Sequence, residues 1–246
     1  MFEVWRLAYT ISNENQPWAT KAVPNVKKVL TVAASGDQAL FYKLAGAEIV
    51  DTFDITANAR VIQDIKYVAV KNIDWPDYPV LLEKLHFKTG HEIKSVLNDF
   101  NLWNSMPDET RKIVEKKGSE YTIGQGLAPS THPENIPTKD DYMKLKSMLT
   151  GPFNFILSDI ASLKLKANQK YDIINISNIF DFCGEEQAQK KILDNLSENL
   201  DANGRIAYLP QCQKIKYDNL RTEKVVYEKT LSYDKNTQMI LFQKTR

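Results

Sequence analysis

Residues 29–46, VLTVAASGDQALFYKLAG, then residues 47–56, AEIVDTFDIT, then a long amphipathic run decide the fold. An apolar β-branched stretch leads into a tight turn of small residues and a helix. A second strand follows, ends in an acid and gives way to another helix. This order is the front half of a nucleotide-binding α/β unit. Small residues let backbone N–H groups approach a ligand, and a carboxylate about 20 residues further on suits ribose hydroxyls.

Residues 28–34 (KVLTVAA) read as a buried parallel strand broken by Ser35-Gly36-Asp37-Gln38. Residues 39–46 form a helix stopping at Gly46, and residues 48–54 (EIVDTFD) form the second strand. Thr56 caps the next helix, whose Val61, Ile65, Val68 and Ala69 recur at helical spacing. Residues 74–150 break this rhythm and read as a helical insertion, with helices at YPVLLEKLHF, HEIKSVLNDFNLW and DETRKIVEKK before Gly118. An irregular stretch from Tyr121 to Pro137 places Gly124 and Gly126 either as lid hinges or in a plain surface loop. Thr138 with Asp141 then opens the helix DDYMKLKSML as a capping box.

The α/β pattern resumes with strands at 153–158 (FNFILS) and 171–177 (YDIINIS), a helix over 185–200, the turn Asp201-Ala202-Asn203-Gly204 and a strand at 205–209. Segments 223–233 and 237–244 flank a turn at Asp234-Lys235-Asn236. Their separation is too short for a helical crossover and predicts an antiparallel hairpin.

At 246 residues and 43% hydrophobic, the chain can bury a full core, and one domain over 1–246 carrying the insertion 74–150 is expected. A net charge of +1 gives no bulk electrostatic case for nucleic acid. No stretch reaches the roughly 18 apolar residues of a membrane span. The leading MFEVWRLAYT carries an early Glu and lacks the basic-then-apolar order of a signal peptide. Cys183 and Cys212 have no metal-like spacing and fit free thiols in a reducing cytoplasm. His86, His91 and His132 are scattered, so no metal site is expected.

A dinucleotide-binding domain would show G-x-G-x-x-G after its first strand, where this chain has Ala33, Ser35, Gly36 and Ala39. No G-K-[ST] marks a P-loop. A parallel sheet closed by one reversed strand resembles the class I S-adenosylmethionine (SAM) dependent transferases. The expected architecture is therefore α/β, a Rossmann-like SAM-dependent methyltransferase fold. It has a mostly parallel seven-stranded sheet, a C-terminal antiparallel hairpin and a helical insertion after strand 2. In that fold the turn after strand 1 cradles the methionine part, an acid after strand 2 holds the ribose, and a polar residue after strand 3 contacts adenine. Ser35–Asp37, Asp54 and Asp159 occupy those places.

A closer resemblance rests on two segments. The first holds Ser35-Gly36-Asp37-Gln38-Ala39-Leu40, Asp54 and Ile65-Lys66-Tyr67-Val68-Ala69. The second holds Ser158-Asp159-Ile160, then Ser177-Asn178 and Asp181 within YDIINISNIFDF. Together they resemble the family of SAM:diacylglycerol 3-amino-3-carboxypropyltransferases of betaine-lipid synthesis, over roughly residues 28–73 and 153–210. The chain is considerably shorter than the full lipid enzymes, and it has Gln38 where Asn is common.

The resemblance implies SAM as cofactor and an acceptor that is a small molecule or a lipid, with peripheral membrane contact only in the lipid case. It places cofactor contacts at Ala33, Ser35, Gly36, Asp37, Asp54, Ile55, Ser158, Asp159, Ile160 and Ser177. Asn178 and Asp181 stand on the catalytic side, Asp181 as a base, and Asp37 is a receiver for the cofactor's amino group.

Each residue has a plainer reading. Asp54 suits a helix dipole, Ser35–Asp37 an ordinary turn, and Asn178 a helix cap. Cys183 suits a buried inert thiol, and Trp5, Tyr9 and Trp18 suit cover packing. The reaction also stays open among aminocarboxypropyl transfer, methyl transfer and SAM binding without catalysis, because the fold does not choose between the carbons of a sulfonium.

Overall fold

A computed structural model of the protein describes residues 8–124, 133–210, 225–232 and 238–244. The chain first forms α1 (Gln16–Ala22), β1 (Lys28–Val32), α2 (Asp37–Leu44), β2 (Ile49–Asp54) and α3 (Ala57–Asn72). Residues 74–150 carry α4 (Asp77–Lys84), β3 (Lys88–Thr89), α5 (Gly90–Asp99), α6 (Asp108–Lys117), β4 (Tyr121–Ile123) and α7 (Lys139–Met148). Then follow β5 (Asn154–Leu157), β6 (Tyr171–Asn175), α8 (Glu186–Ser197), β7 (Leu200–Tyr208), β8 (Val225–Ser232) and β9 (Gln238–Lys244).

Seven strands make one sheet in the order β5-β2-β1-β6-β7-β9-β8. The first five are parallel, and β9 is antiparallel to both β7 and β8. This is the Rossmann-like SAM-dependent methyltransferase fold that the sequence predicts, terminal hairpin included. The chain leaves β1 toward β2 and β5 on one side and resumes at β6 and β7 on the other. The crevice beyond the carboxyl ends of β1 and β6 is thus the topological switch point, where open α/β sheets bind ligands.

Alternate residues along each central strand enter opposite cores, as a pleated strand requires. Leu30, Ile174, Ile206 and Phe242 pack with α8 residues such as Ile192 and Leu196. Val29, Ile173, Ala207 and Leu241 pack with Ala19 of α1 and with Ala39 and Tyr42 of α2. Both faces are covered, which explains the near-continuous apolar run of β1. A third core joins Val61, Ile62, Ile65 and Ala69 of α3 to Leu81, Ile93, Leu97, Val114 and Tyr142 of the insertion.

The expected caps are present. The side chains of Thr56 and Thr138 accept the backbone N–H of Asn58 and Asp141. The N–H groups of Gly46 and Ala47 close α2 on the carbonyls of Lys43 and Tyr42.

Three differences have local causes. The insertion is not purely helical, since β3 and β4 pair antiparallel across it. Helix α1 carries no apolar periodicity and is set by Asn15, whose side chain accepts the Trp18 N–H, with a proline in its first turn. The expected turn at Asp201–Gly204 lies inside β7 as a bulge, because Tyr171 pairs with Leu200 and Ile173 already pairs with Arg205. A Cβ at Gly204 would stand 2.7 Å from the Tyr171 carbonyl oxygen, so the bulge closes only on glycine.

Candidate functional site

The site grows from the end of β1. The backbone turns sharply at Ala34, with φ of 44°, and at Gly36, with φ of 82°. A Cβ at Gly36 would also stand 3.0 Å from Gln63 Cα on α3, so close helix packing and the left-handed backbone both require glycine. Asp54, at the end of β2, ties this turn down. Its Oδ2 accepts the Ala34 N–H and its Oδ1 the Thr56 N–H, each at 3.0 Å. Burial raises its pKa, and backbone hydrogen bonds from Thr56, Ala34 and Ile55 oppose the rise. A carboxylate has about four acceptor directions, so beside these three N–H groups one remains for a sugar hydroxyl.

Neighbouring candidates lie along the same edge. Ser158 donates its N–H to the Asp54 carbonyl at 2.8 Å, which joins the end of β5 to the end of β2. The exposed Asp159 accepts the Ala161 N–H at 2.7 Å, while Ile160 is buried. Ile55 is 55% exposed and Phe182 is 76% exposed, giving this rim apolar surface. Cys183 is half-buried, and its thiol pKa is pushed up by burial and by nearby Asp159.

Asp37 follows the glycine and starts α2, yet its carboxylate already meets a buried cation and two further donors of the chain. Lys66 of α3, 0% exposed, pairs with Oδ1. Oδ2 accepts the Ser12 N–H at 2.7 Å and the Ser35 hydroxyl at 2.9 Å. Burial lowers the Lys66 pKa, while Asp37 raises it. The charge that the sequence offers to a ligand amino group is thus met by a lysine of the chain itself.

Residues 8–15 form a strap toward the switch point. Ala8 hydrogen bonds along β4 through Thr122 and Gly124, and Ser12 reaches Asp37. Asn135 fastens the strap from the insertion: its Nδ2 donates to the carbonyls of Ser12 at 2.9 Å and Glu14 at 2.7 Å. Its Oδ1 accepts the Gln16 N–H at 2.9 Å.

Glu14 is 4% exposed. Its Oε1 accepts the Ser177 hydroxyl, and its Oε2 accepts Gln16 Nε2 at 3.1 Å. Burial pushes its pKa up to about 7 against hydrogen bonds from Ser177, Gln16 and Gln38, and the charge of Asp181 adds to the rise. Ser177 itself has φ of 51°, which ends β6 two residues before the apolar run of the sequence ends. Asn178 is half-buried, and its side chain makes no cap to the 3₁₀ turn Ile179–Asp181. Asp181 accepts the hydroxyl of Tyr208 from the end of β7.

The candidates Ala33, Ser35, Gly36, Asp37, Asp54, Ile55 and Ser158–Ile160 therefore line the β1, β2 and β5 ends, and Ser177, Asn178 and Asp181 the β6 end. Trp18 packs instead with the core under α1 and α2, and Trp5, Gly126 and Cys212 lie outside the described residues. A cavity of about 400 Å³ between Val23–Val26 and Asp201–Arg205 sits at the amino edge of the sheet, opposite the end where such sheets bind ligands. Sequence reading missed Glu14, Gln16 and Asn135, which lie outside any periodic element. Lys66 was visible as a charge on the apolar stripe of Ile62, Ile65 and Ala69. No group of His, Cys, Asp and Glu suited to a metal occurs among the described residues. No helix there is long and apolar enough to cross a membrane.

No protein-family model matches the chain, and no curated protein matches it by sequence. Among solved structures, it is similar to the N-methyltransferase NodS from Bradyrhizobium japonicum WM9 in complex with S-adenosyl-L-homocysteine. That likeness has a TM-score of 0.42 at 8% identity, over 90% of this chain and 79% of NodS. It is also similar to the rRNA methyltransferase aviRa from Streptomyces viridochromogenes, with a TM-score of 0.46 at 13% identity, over 89% and 76% of the two chains. A third is the ribosomal protein L11 methylase from Lactobacillus delbrueckii subsp. bulgaricus, with a TM-score of 0.42 at 9% identity, over 94% and 75%.

Proposed function

We propose that this chain is a SAM-dependent transferase that moves the 3-amino-3-carboxypropyl group to a small-molecule or lipid acceptor. The observation that carries the reading is Asp54, a buried carboxylate at the end of β2 that fixes the small-residue turn after β1 beside the switch point. Its remaining acceptor direction fits a ribose hydroxyl, and the Ala33–Gly36 turn is small enough for backbone contact. When bound, SAM supplies a sulfonium whose attached carbons are open to nucleophilic attack, and alignment of one carbon decides the transferred group.

The chain's own part is positional. Asp54 holds the sugar, the exposed Ile55 gives the adenine an apolar surface, and Asn178 faces the acceptor side after β6. Asp181, held by the Tyr208 hydroxyl, accepts the proton of a hydroxyl acceptor. The aminocarboxypropyl choice is supported by the two family-like segments, whose Ser35–Leu40, Asp54, Ser158–Ile160 and Ser177–Asp181 parts follow the carboxyl ends of β1, β2, β5 and β6.

Incubation with SAM and fractionated small-molecule and lipid extracts tests both levels. Methylthioadenosine as the released product is expected. S-adenosylhomocysteine as the sole product replaces the aminocarboxypropyl reading with methyl transfer. Absence of binding by any adenosyl ligand removes the transferase reading itself.

A further inference from the structure

The buried polar groups around Glu14 are unevenly satisfied. Gln16 and Gln38 are buried; the Gln16 side chain hydrogen bonds to the Glu14 carboxyl, and that of Gln38 lies beside it. Among the described residues, the Oε1 atom of each amide has no hydrogen-bond partner. Buried polar atoms are nearly always paired, so two such oxygens beside one carboxyl mark a place where a donor belongs. The hydrogen bonds to Glu14 come from neutral groups, with no lysine or arginine among them. A carboxyl flanked by two amide oxygens is a set of acceptors that an N–H-rich cation satisfies.

Asp37 cannot fill that role, because Lys66, Ser12 and Ser35 occupy it. We propose that Glu14, with the amide oxygens of Gln16 and Gln38, forms an ammonium-binding site at the β1/β6 switch point that takes the α-ammonium of the cofactor's aminoacyl tail. The inference rests on the SAM reading and deepens it. It assigns the tail to the strap, whereas the sugar belongs to Asp54.

The location suits the assignment. Gln38 lies in the first turn of α2, directly after the turn that Asp54 holds, and Ser177 ends β6 on the other side. Tail and sugar thus fall on opposite flanks of the β1 end. The titratable groups facing Glu14 are Asp181 after β6 and Tyr42 of α2. Burial raises the Tyr42 pKa and keeps it neutral, so the charge of Asp181 is what favours an incoming cation. Burial holds Glu14 protonated to about pH 7, and an ammonium drives it to the carboxylate.

Calorimetry with S-adenosylhomocysteine and with 5′-methylthioadenosine, which lacks the aminoacyl tail, tests the site on the full chain. In wild type at pH 6, S-adenosylhomocysteine releases a proton, read as an enthalpy that varies with the buffer's ionisation heat, while methylthioadenosine does not. Glu14→Gln weakens S-adenosylhomocysteine by about tenfold or more and leaves methylthioadenosine within about twofold. Equal proton release with the two ligands overturns the site without any variant. Equal effects of Glu14→Gln on both ligands, or none on either, also overturn it and leave the SAM reading standing. Failure of both ligands to bind wild type overturns that reading and the site together.

Discussion

Asp54 and Glu14 are both buried carboxyls at the carboxyl edge of the sheet, and their partners set them apart. Asp54 accepts backbone N–H groups, which favour its charged form. In Asp54→Asn an amide NH2 must face either the Ala34 or the Thr56 N–H. Leaving one donor unmet costs about 1–3 kcal/mol of stability, and adenosyl ligands should bind at least about tenfold more weakly. Thermal melting and calorimetry read the two effects.

Glu14 titrates in the opposite sense from a salt-bridged acid. Its pKa moves from 4.5 to about 7 on folding, so the folded state holds the proton more tightly. Its contribution to stability is full below pH 4.5 and falls as pH rises to about 7, by roughly 3 kcal/mol. Urea unfolding across this range should show wild type losing that much relative to Glu14→Gln, which has no carboxyl to titrate. Asp54 was legible in the sequence because a strand, its length and the preceding turn point to it. Glu14 was not, because its role depends on Ser177 and Asn135, which are far along the chain and meet it only in the folded molecule.

At the level of elements, the strands and the terminal hairpin followed from apolar runs and connection lengths, whereas the strand order is set by the folded sheet. The boundaries moved where single residues turn the backbone. Ala34 and Ser177, both at positive φ, end β1 and β6 earlier than their apolar runs do, and Gly36 lets α2 begin at Asp37. The short β3–β4 pair was hidden because strands of two and three residues leave no period to read.

The join between α3 and α2 is the buried Lys66–Asp37 pair. Lys66→Met leaves Asp37 charged among Ser12 and Ser35 without a cation and should cost about 3–5 kcal/mol in urea unfolding. The double variant Lys66→Met, Asp37→Asn keeps an acceptor for both donors and removes both charges. It should be destabilised by at least about 1 kcal/mol less than the sum of the single variants. Simple additivity would mean that the pair does not hold the two helices together.

Across the whole molecule, three distant parts meet at one edge: the strap of residues 8–15, the insertion and the sheet. Asn135 is where the insertion grips the strap, through two carbonyls and one N–H. Asn135→Ala strands those groups in a buried setting, at a cost of about 2–4 kcal/mol. The loss should be local, because the sheet is held by two cores that contain no strap residue, whereas Ala8 and Ile11 of the strap join the core between α3 and the insertion. Hydrogen exchange should therefore rise at the amides of residues 10–16, while those of β1 and β6 stay protected. If Glu14 holds the aminoacyl tail, the same variant should weaken S-adenosylhomocysteine more than methylthioadenosine with no acidic group altered. Uniform loss of protection through β1 and β6 would instead make the strap part of the fold's core, and its proximity to the ligand edge a consequence of packing.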